Sequence, residues 1–255
     1  MIRGDLLELF DAPDLWTTLD AYEGFKPEDV PGSLFNRTRC QAQLPDGRFA
    51  VSFEQRHRIE IFDLEKKGPA AGSVPGPPVP REGLKPNEGI EALVATAHGD
   101  LIAGSEYAPP GKDSSIFYQL KLGASASEAT LAMGYAQTTL GNALVDLDRL
   151  PDGDFVALER FYFPGIGNKN VIRRYAASGL IANPPALKGP VLAQFATPQI
   201  VDNFEGIAAQ PLPDGAVRLY IISDDNFSDR QKTLLYAFDL APEKTQEEKP
   251  AASAR

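Results

Sequence analysis

Residues Asn203 to Asn226 read NFEGIAAQPLPDGAVRLYIISDDN. Leu-Pro-Asp-Gly at 212–215 is a turn by its own chemistry, because Pro presets the first turn dihedral and Gly supplies the positive one. Beyond it, Val217, Leu219 and Ile221 alternate with Arg218 and Tyr220, the two-residue period of a strand. The stretch is therefore a β-hairpin with an acidic approach segment, a glycine turn, an apolar strand and an acidic end.

The same unit occurs three more times. RTRCQAQLPDGRFAVSFE runs from Arg37 to Glu54, NEGIEALVATAHGDLIAGSE from Asn87 to Glu106, and NALVDLDRLPDGDFVALER from Asn142 to Arg160. The turn glycines Gly47, Gly99, Gly153 and Gly215 recur at intervals of about 50 to 60 residues. Each hairpin is followed by a further strand-like run, at 58–63, 115–120, 170–175 and 233–239. Short strands repeating at this period are the pattern of propeller blades, so the reading is all-β: a β-propeller of about five to six blades, the first read as incomplete. Residues 1–240 form one domain on this reading, with 1–36 a partial N-terminal blade. Gly68 to Arg81 is rich enough in Pro and Gly to be a connecting loop without regular structure. The polar tail 241–255 lacks bulky apolar residues and is expected to be disordered.

Bulk composition narrows the function. The 255 residues carry 35 acidic against 25 basic side chains, a formal charge of −10, and no Lys/Arg cluster that would neutralise phosphates, which excludes nucleic acid as a partner. No run approaches the length of a membrane-spanning helix. The single cysteine, Cys40, excludes an internal disulfide and a cysteine-based zinc cluster. The N-terminus has no basic segment followed by an apolar run, so no signal peptide is read there.

NEGIEAL at 87–93, LVDLDRLPDGDFVALER at 144–160, and NFEGIAAQPLPDG with ISDDN and TLLYAFDL at 203–240 together resemble the phytase-like (esterase-like activity of phytase) family of β-propellers. The resemblance implies hydrolysis of esters or phosphoesters with a divalent cation, Ca²⁺ foremost, a small-molecule substrate, and a periplasmic or secreted setting; with no signal peptide in view, a cytoplasmic one stays open. Two departures stand out. Where the family carries Asp-Ala-Glu ahead of the first Leu-Pro-Asp-Gly, this chain has Arg37, Thr38 and Arg39. Arg3-Gly4-Asp5 falls where the resemblance implies the middle of a first blade.

In a propeller the innermost strands line a common channel, so equivalent positions in distant repeats converge. The approach segments present Glu88, Glu91, Asp146, Asp148 and Glu205. Convergent carboxylates repel unless protons or a cation compensate, and oxygen-only donors suit Ca²⁺ or Mg²⁺. Glu205, Glu88, Glu91, Asp146 and, from the run Asp224-Asp225-Asn226, Asp224 are the metal candidates; the same run is equally suited to Asx turns. Arg39, Arg160 and Asn226 are the candidates for holding substrate, arginine because its planar fork matches anionic groups. Glu159 with Arg160, and Glu54 with Arg56 and Arg58, also read as ion pairs between blades. His57 reads as a packed or hydrogen-bonded side chain and His98 as a turn residue, and no Gly-x-Ser-x-Gly elbow occurs, so a serine triad has little to work with. The catalytic residues are not identified. Two alternatives stay open: a non-enzymatic ligand- or protein-binding propeller with structural calcium, and a lactonase-like enzyme.

Overall fold

The structure, a computed structural model, describes residues 3–8, 41–53, 56–63, 73–79, 84–85, 88–108, 114–121, 130–179 and 187–241. These residues form sixteen strands and, as their only helix, a single 3-10 turn at Ala177–Gly179. In chain order the strands are β1 (Arg3–Glu8), β2 (Gln41–Gln43), β3 (Phe49–Phe53), β4 (Arg58–Phe62), β5 (Val74–Pro75), β6 (Ile90–Ala95), β7 (Leu101–Ser105) and β8 (Ser114–Lys121). They continue with β9 (Thr130–Gln137), β10 (Ala143–Arg149), β11 (Phe155–Phe163), β12 (Gly167–Tyr175), β13 (Val191–Ala196), β14 (Phe204–Pro211), β15 (Val217–Ser223) and β16 (Leu234–Leu240).

The strands make four antiparallel four-stranded sheets: sheet I is β2-β3-β4-β5, sheet II β6-β7-β8-β9, sheet III β10-β11-β12-β13, and sheet IV β14-β15-β16-β1. Each repeat of the sequence supplies the first strands of one sheet. The segment Arg3-Gly4-Asp5 lies in the edge strand of sheet IV, in register with Asp239, Phe238 and Ala237 of β16, so the two ends of the described chain meet in one sheet. One expectation is corrected. Val74–Pro75, within the Pro/Gly-rich segment read as loop, pairs with Glu60 and Ile61 as the edge of sheet I. An edge is where a strand tolerates proline, since the missing N–H would point away from the ladder.

The four hairpin turns share one geometry. Gly47, Gly99, Gly153 and Gly215 have φ of 85°, 86°, 96° and 81°. Each glycine N–H donates to the carbonyl three residues back, at 2.9 to 3.1 Å. Asp46, Asp152 and Asp214 accept the N–H of Arg48, Asp154 and Ala216 respectively, which explains the Asp of the repeated motif. In the second repeat His98 stands at the aspartate's position, and the side-chain bond differs: Thr96 Oγ1 accepts the His98 N–H.

The core lies between successive sheets. Leu101 and Ala103 of β7 pack toward sheet I, whereas Ile102, from the same strand, joins Leu144, Leu147 and Phe155 of sheet III. Leu158 and Ile172 of sheet III meet Phe204, Ile207 and Leu219 of sheet IV. Sheets II and III are thus covered on both faces, which is why β6 and β7 are buried throughout and read as nearly continuous apolar runs. A cavity of about 430 Å³ is lined by the first strands of all four sheets, with Gln43, Leu93, Asp146, Asp148, Ile207 and Ala209 on its wall.

Candidate functional site

Three first strands carry the same irregularity. The ladders skip one residue between Ile90 and Ala92, between Leu144 and Asp146, and between Phe204 and Gly206. A bulge reverses the inward and outward alternation and re-aims the extra side chain. The core records the reversal: Ile90 and Leu93, Leu144 and Leu147, and Phe204 and Ile207 each lie in one cluster although they are three residues apart. The bulged residues are Glu91, Val145 and Glu205. Both glutamates are buried, at 7% and 6% exposure, at the same end of their sheets.

At that end the second strands deliver Glu106, just past β7, and Arg160, within β11. The Arg160 Nη2 lies 3.9 Å from a Glu106 carboxylate oxygen and 3.8 Å from one of Glu205. Its Nη1 donates to Asn203 Oδ1 at 2.6 Å, and the Asn203 amide in turn donates to Glu205 Oε1 at 2.7 Å. One guanidinium from sheet III is therefore held among groups at the end of β7 in sheet II and at the start of β14 in sheet IV. Asn170 lies directly across the ladder from Arg160 and is fully buried. Its Oδ1, like Arg160 Nε, has no hydrogen-bond partner among the described residues. Tyr107 borders the cluster: burial raises its hydroxyl pKa, and the charges of Glu106, Glu88 and Glu91 raise it further while Arg160 opposes them.

Asp146 and Asp148 act below this cluster. Asp146 accepts the N–H of Leu147 at 2.8 Å and of Ile207, across the sheet boundary, at 2.7 Å. Asp148 repeats the arrangement with Arg149 and Ala209. The two carboxylates thereby stitch β10 to β14. Burial holds the Asp146 carboxyl well above its ordinary value, and the Asp148 and Glu91 charges push the same way against the two backbone hydrogen bonds.

A family model described as phytase-like, esterase-like activity of phytase, matches residues 41–227. The chain belongs to the phytase-like family. No curated protein matches the chain significantly. Among solved structures, this phytase-like chain is similar to a protein of unknown function from Dyadobacter fermentans, with a TM-score of 0.45 and 14% identity, covering 80% of this chain and 53% of that one. It is similar to a luciferin-regenerating enzyme at a TM-score of 0.41 and 14% identity, covering 82% and 62%. A putative oxidoreductase (glucose dehydrogenase) from Thermus thermophilus aligns at a TM-score of 0.34 and 10% identity, covering 80% and 97%. The chain spans about half the length of the first of these and three fifths of the second.

Of the residues singled out from the sequence of this phytase-like chain, the structure brings together Glu205 and Arg160, with Glu91 buried at the same end of its own sheet. Glu88 stands at the margin, paired with Lys85 at 2.7 Å. Asp224 accepts the N–H of Asn226, Asp225 that of Phe227, and the Asn226 side chain donates to Gln231, so the run Asp224-Asp225-Asn226 is a tight Asx-type turn. Arg39 and Glu54 lie outside the described residues. Glu159 pairs with Arg173 of the same sheet at 2.6 Å rather than with a neighbouring sheet. His57 is buried against the Lys85 carbonyl at 3.0 Å, and His98 sits in its turn. Sequence reasoning misses Glu106 and Asn203 as members of the site. Glu106 holds the position after its second strand that Asp224 holds after its own, which is the signal that finds it.

Proposed function

We propose that the chain is a hydrolase of ester or phosphoester bonds, built as a β-propeller whose blades include the four described sheets, with its reaction centre at the Glu91, Glu106, Glu205 and Arg160 cluster. The observation that carries this reading is the convergence itself: a bulge buries Glu205, and the end of β7 buries Glu106, beside one arginine that keeps 18% of its side chain exposed, while a second bulge buries Glu91 at the same end of its sheet. A structure built only for stability gains little from burying such charges.

The donor chemistry fits a hard divalent cation, Ca²⁺ foremost, since Glu91 and Glu205 offer oxygen alone. Those two residues would hold it; Glu88, Asp146 and Asp224 spend their carboxylates, and Asn203 its amide, on the local partners described above. When bound, such an ion polarises the substrate oxygen and acidifies water. Asn203 fixes the rotamer of Glu205 through its amide hydrogen bond. Arg160 presents a fixed positive charge toward which the oxygen that gains charge in the transition state is drawn. A small-molecule substrate is the partner this geometry accommodates. Among the described residues no helix is long and apolar enough to cross a membrane.

A non-enzymatic reading draws on one observation, that Arg160 already compensates Glu106 and Glu205 and so locks three sheets together without any ion. Metal content of the purified protein, with hydrolysis of 4-nitrophenyl esters, phosphate esters and lactones before and after chelation, separates the two. The proposal expects ester or phosphoester turnover that chelator removes and Ca²⁺ restores. Turnover of none of these, or turnover indifferent to chelator, overturns it.

A further inference from the structure

The hairpin of β11 and β12 has two faces, and its register fixes what stands on each. From Phe155 to Phe163 the strands pair without a bulge, with Arg160 opposite Asn170 and Tyr162 opposite Asn168. Alternate residues of a strand share a face, and directly opposed residues share it too, their Cβ atoms about 5 Å apart. Arg160, Tyr162, Asn168 and Asn170 therefore form one patch, two cross-strand pairs side by side. Glu159, Phe161, Phe163 and Lys169 belong to the other face, where the Lys169 ammonium sits over the Phe161 ring at 5.7 Å.

The inner pair belongs to the centre already described. Arg160 reaches Asn203 and Glu205, and the fully buried Asn170 donates from Nδ2 to the Asp202 carbonyl at 3.3 Å. The outer pair lies roughly 7 Å further along the strands and is open: Tyr162 is 61% exposed and Asn168 is partly exposed. The turn beyond it is closed tightly. Gly165 takes a φ of 85° after Pro164, and the Ile166 N–H donates to the Phe163 carbonyl at 3.0 Å. A bulge-free hairpin closed in this way presents Tyr162 and Asn168 in one arrangement before any ligand arrives, so little ordering cost opposes binding.

The outer pair has a chemistry of its own. Tyr162 offers an aromatic face and a phenolic hydroxyl, Asn168 offers an amide with two donors and an acceptor, and neither carries charge at neutral pH. An ion finds no counter-charge in the pair, since the neighbouring Arg160 is engaged by Asn203, Glu106 and Glu205. A plain aromatic or aliphatic group would cover the ring and strip water from the amide without replacing its hydrogen bonds. A sugar ring answers both: its C–H face lies on the tyrosine, and its neighbouring hydroxyls, each a donor and an acceptor, match the amide.

We propose that Tyr162 and Asn168 form a subsite for a neutral sugar ring beside Arg160, so that the substrate is an ester of a sugar hydroxyl. The reaction part of this inference rests on the hydrolase reading and deepens it, whereas the binding part stands on the hairpin face alone. In the reaction water adds to the acyl carbon and the acyl C–O bond breaks, the water oxygen staying with the acid and one of its protons passing to the sugar oxygen.

The test uses the full chain with Tyr162→Ser and Asn168→Ala, both at open positions, and Phe163→Ser as the control from the opposite face. Binding of the methyl glycosides of glucose, galactose and mannose, which carry no ester, is measured by saturation-transfer NMR and calorimetry, with benzyl alcohol beside them. Kinetics are measured on the 6-O-acetyl ester of whichever glycoside binds and on ethyl acetate. At least one glycoside should bind, and either substitution in the outer pair should weaken it roughly three- to tenfold, whereas Phe163→Ser should not. The preference in kcat/KM for the sugar ester over ethyl acetate should fall by the same factor. Glycoside binding that depends on Tyr162 and Asn168, in a protein that turns over no ester, sustains the subsite while the hydrolase reading falls. Ester turnover with no glycoside bound, or with binding that neither substitution weakens, overturns the subsite while the hydrolase reading stands. An equal loss of binding in Phe163→Ser overturns the assignment to the Arg160 face, and tighter binding of benzyl alcohol than of any glycoside overturns the sugar.

Discussion

Replacing Arg160 by methionine keeps the aliphatic stem and deletes the charge on which three sheets converge. The guanidinium lies 3.9 and 3.8 Å from the carboxylates of Glu106 and Glu205 and 2.6 Å from Asn203 Oδ1. At an effective dielectric near 20 each ion contact is about 4 kcal/mol of attraction, most of it offset by the desolvation of the charges. Both glutamates stay buried in the variant, so their desolvation cost remains while the attraction is gone. The net loss is expected at about 3 to 5 kcal/mol, the range for breaking a buried pair from one side. Urea unfolding at neutral pH should show a lower midpoint with an unchanged slope. Adding Glu205→Gln to Arg160→Met should recover part of the loss, with a coupling of roughly 1 to 3 kcal/mol in the double-mutant cycle. A loss below about 1 kcal/mol, typical of an exposed pair, would refute the argument that Arg160 compensates buried charge.

Asp146→Asn tests the stitch between β10 and β14. Because burial raises the Asp146 carboxyl well above the ordinary 3.8, the folded protein holds that proton more tightly than the unfolded chain does. The stability it contributes is present in acid and lost as pH rises through the raised folded value, so the wild type should lose more stability between pH about 4 and 8 than the variant does. Urea titrations across that range check the slope. Gly104→Ala should cost about 1 to 3 kcal/mol by overpacking, since a Cβ there would stand 2.5 Å from Leu144 Cδ2. Gly153→Ala should cost about 1 to 2 kcal/mol with no atom nearby to clash, from its φ of 96° alone. Thermal unfolding separates the causes, because Gly153→Asn should recover most of the loss whereas Gly104→Ser should not.

The hairpins are legible in the sequence because their signals are local. Pro, Asp and Gly fix each turn within four residues, and alternation marks Val217 to Ile221 as a strand without reference to any partner. The run 170–175 likewise lies within β12. The edge strands are harder to read. β13 is half exposed and weakly patterned, and β1 joins β16 from the opposite end of the chain, which no local pattern announces. Val74–Pro75 is hidden by its own proline. Glu205 and Glu91 stand out by their recurring context, but the bulges that bury them show only as apolar pairs three apart, at 90 and 93, 144 and 147, and 204 and 207. Continuous apolar stretches such as Ala92 to Ala95 blur that spacing. Arg160 reads both as a substrate contact and as half of an ion pair with Glu159. Its actual partners, Glu106 and Glu205, follow from sheet packing that places distant repeats side by side.

The central claim is that the cluster around Glu205 carries the chemistry, and the measurement closest to it is kcat/KM for ester hydrolysis by the Glu205→Gln variant at matched folded fraction. The change keeps the size of the side chain and an oxygen acceptor for the Asn203 amide, while removing the charge that faces Arg160. A fall of at least roughly a hundredfold, the scale of losing one preorganised charged group in an active site, is the predicted result. Activity within about threefold of the wild type, roughly 0.6 kcal/mol of barrier, would place the chemistry elsewhere in the protein.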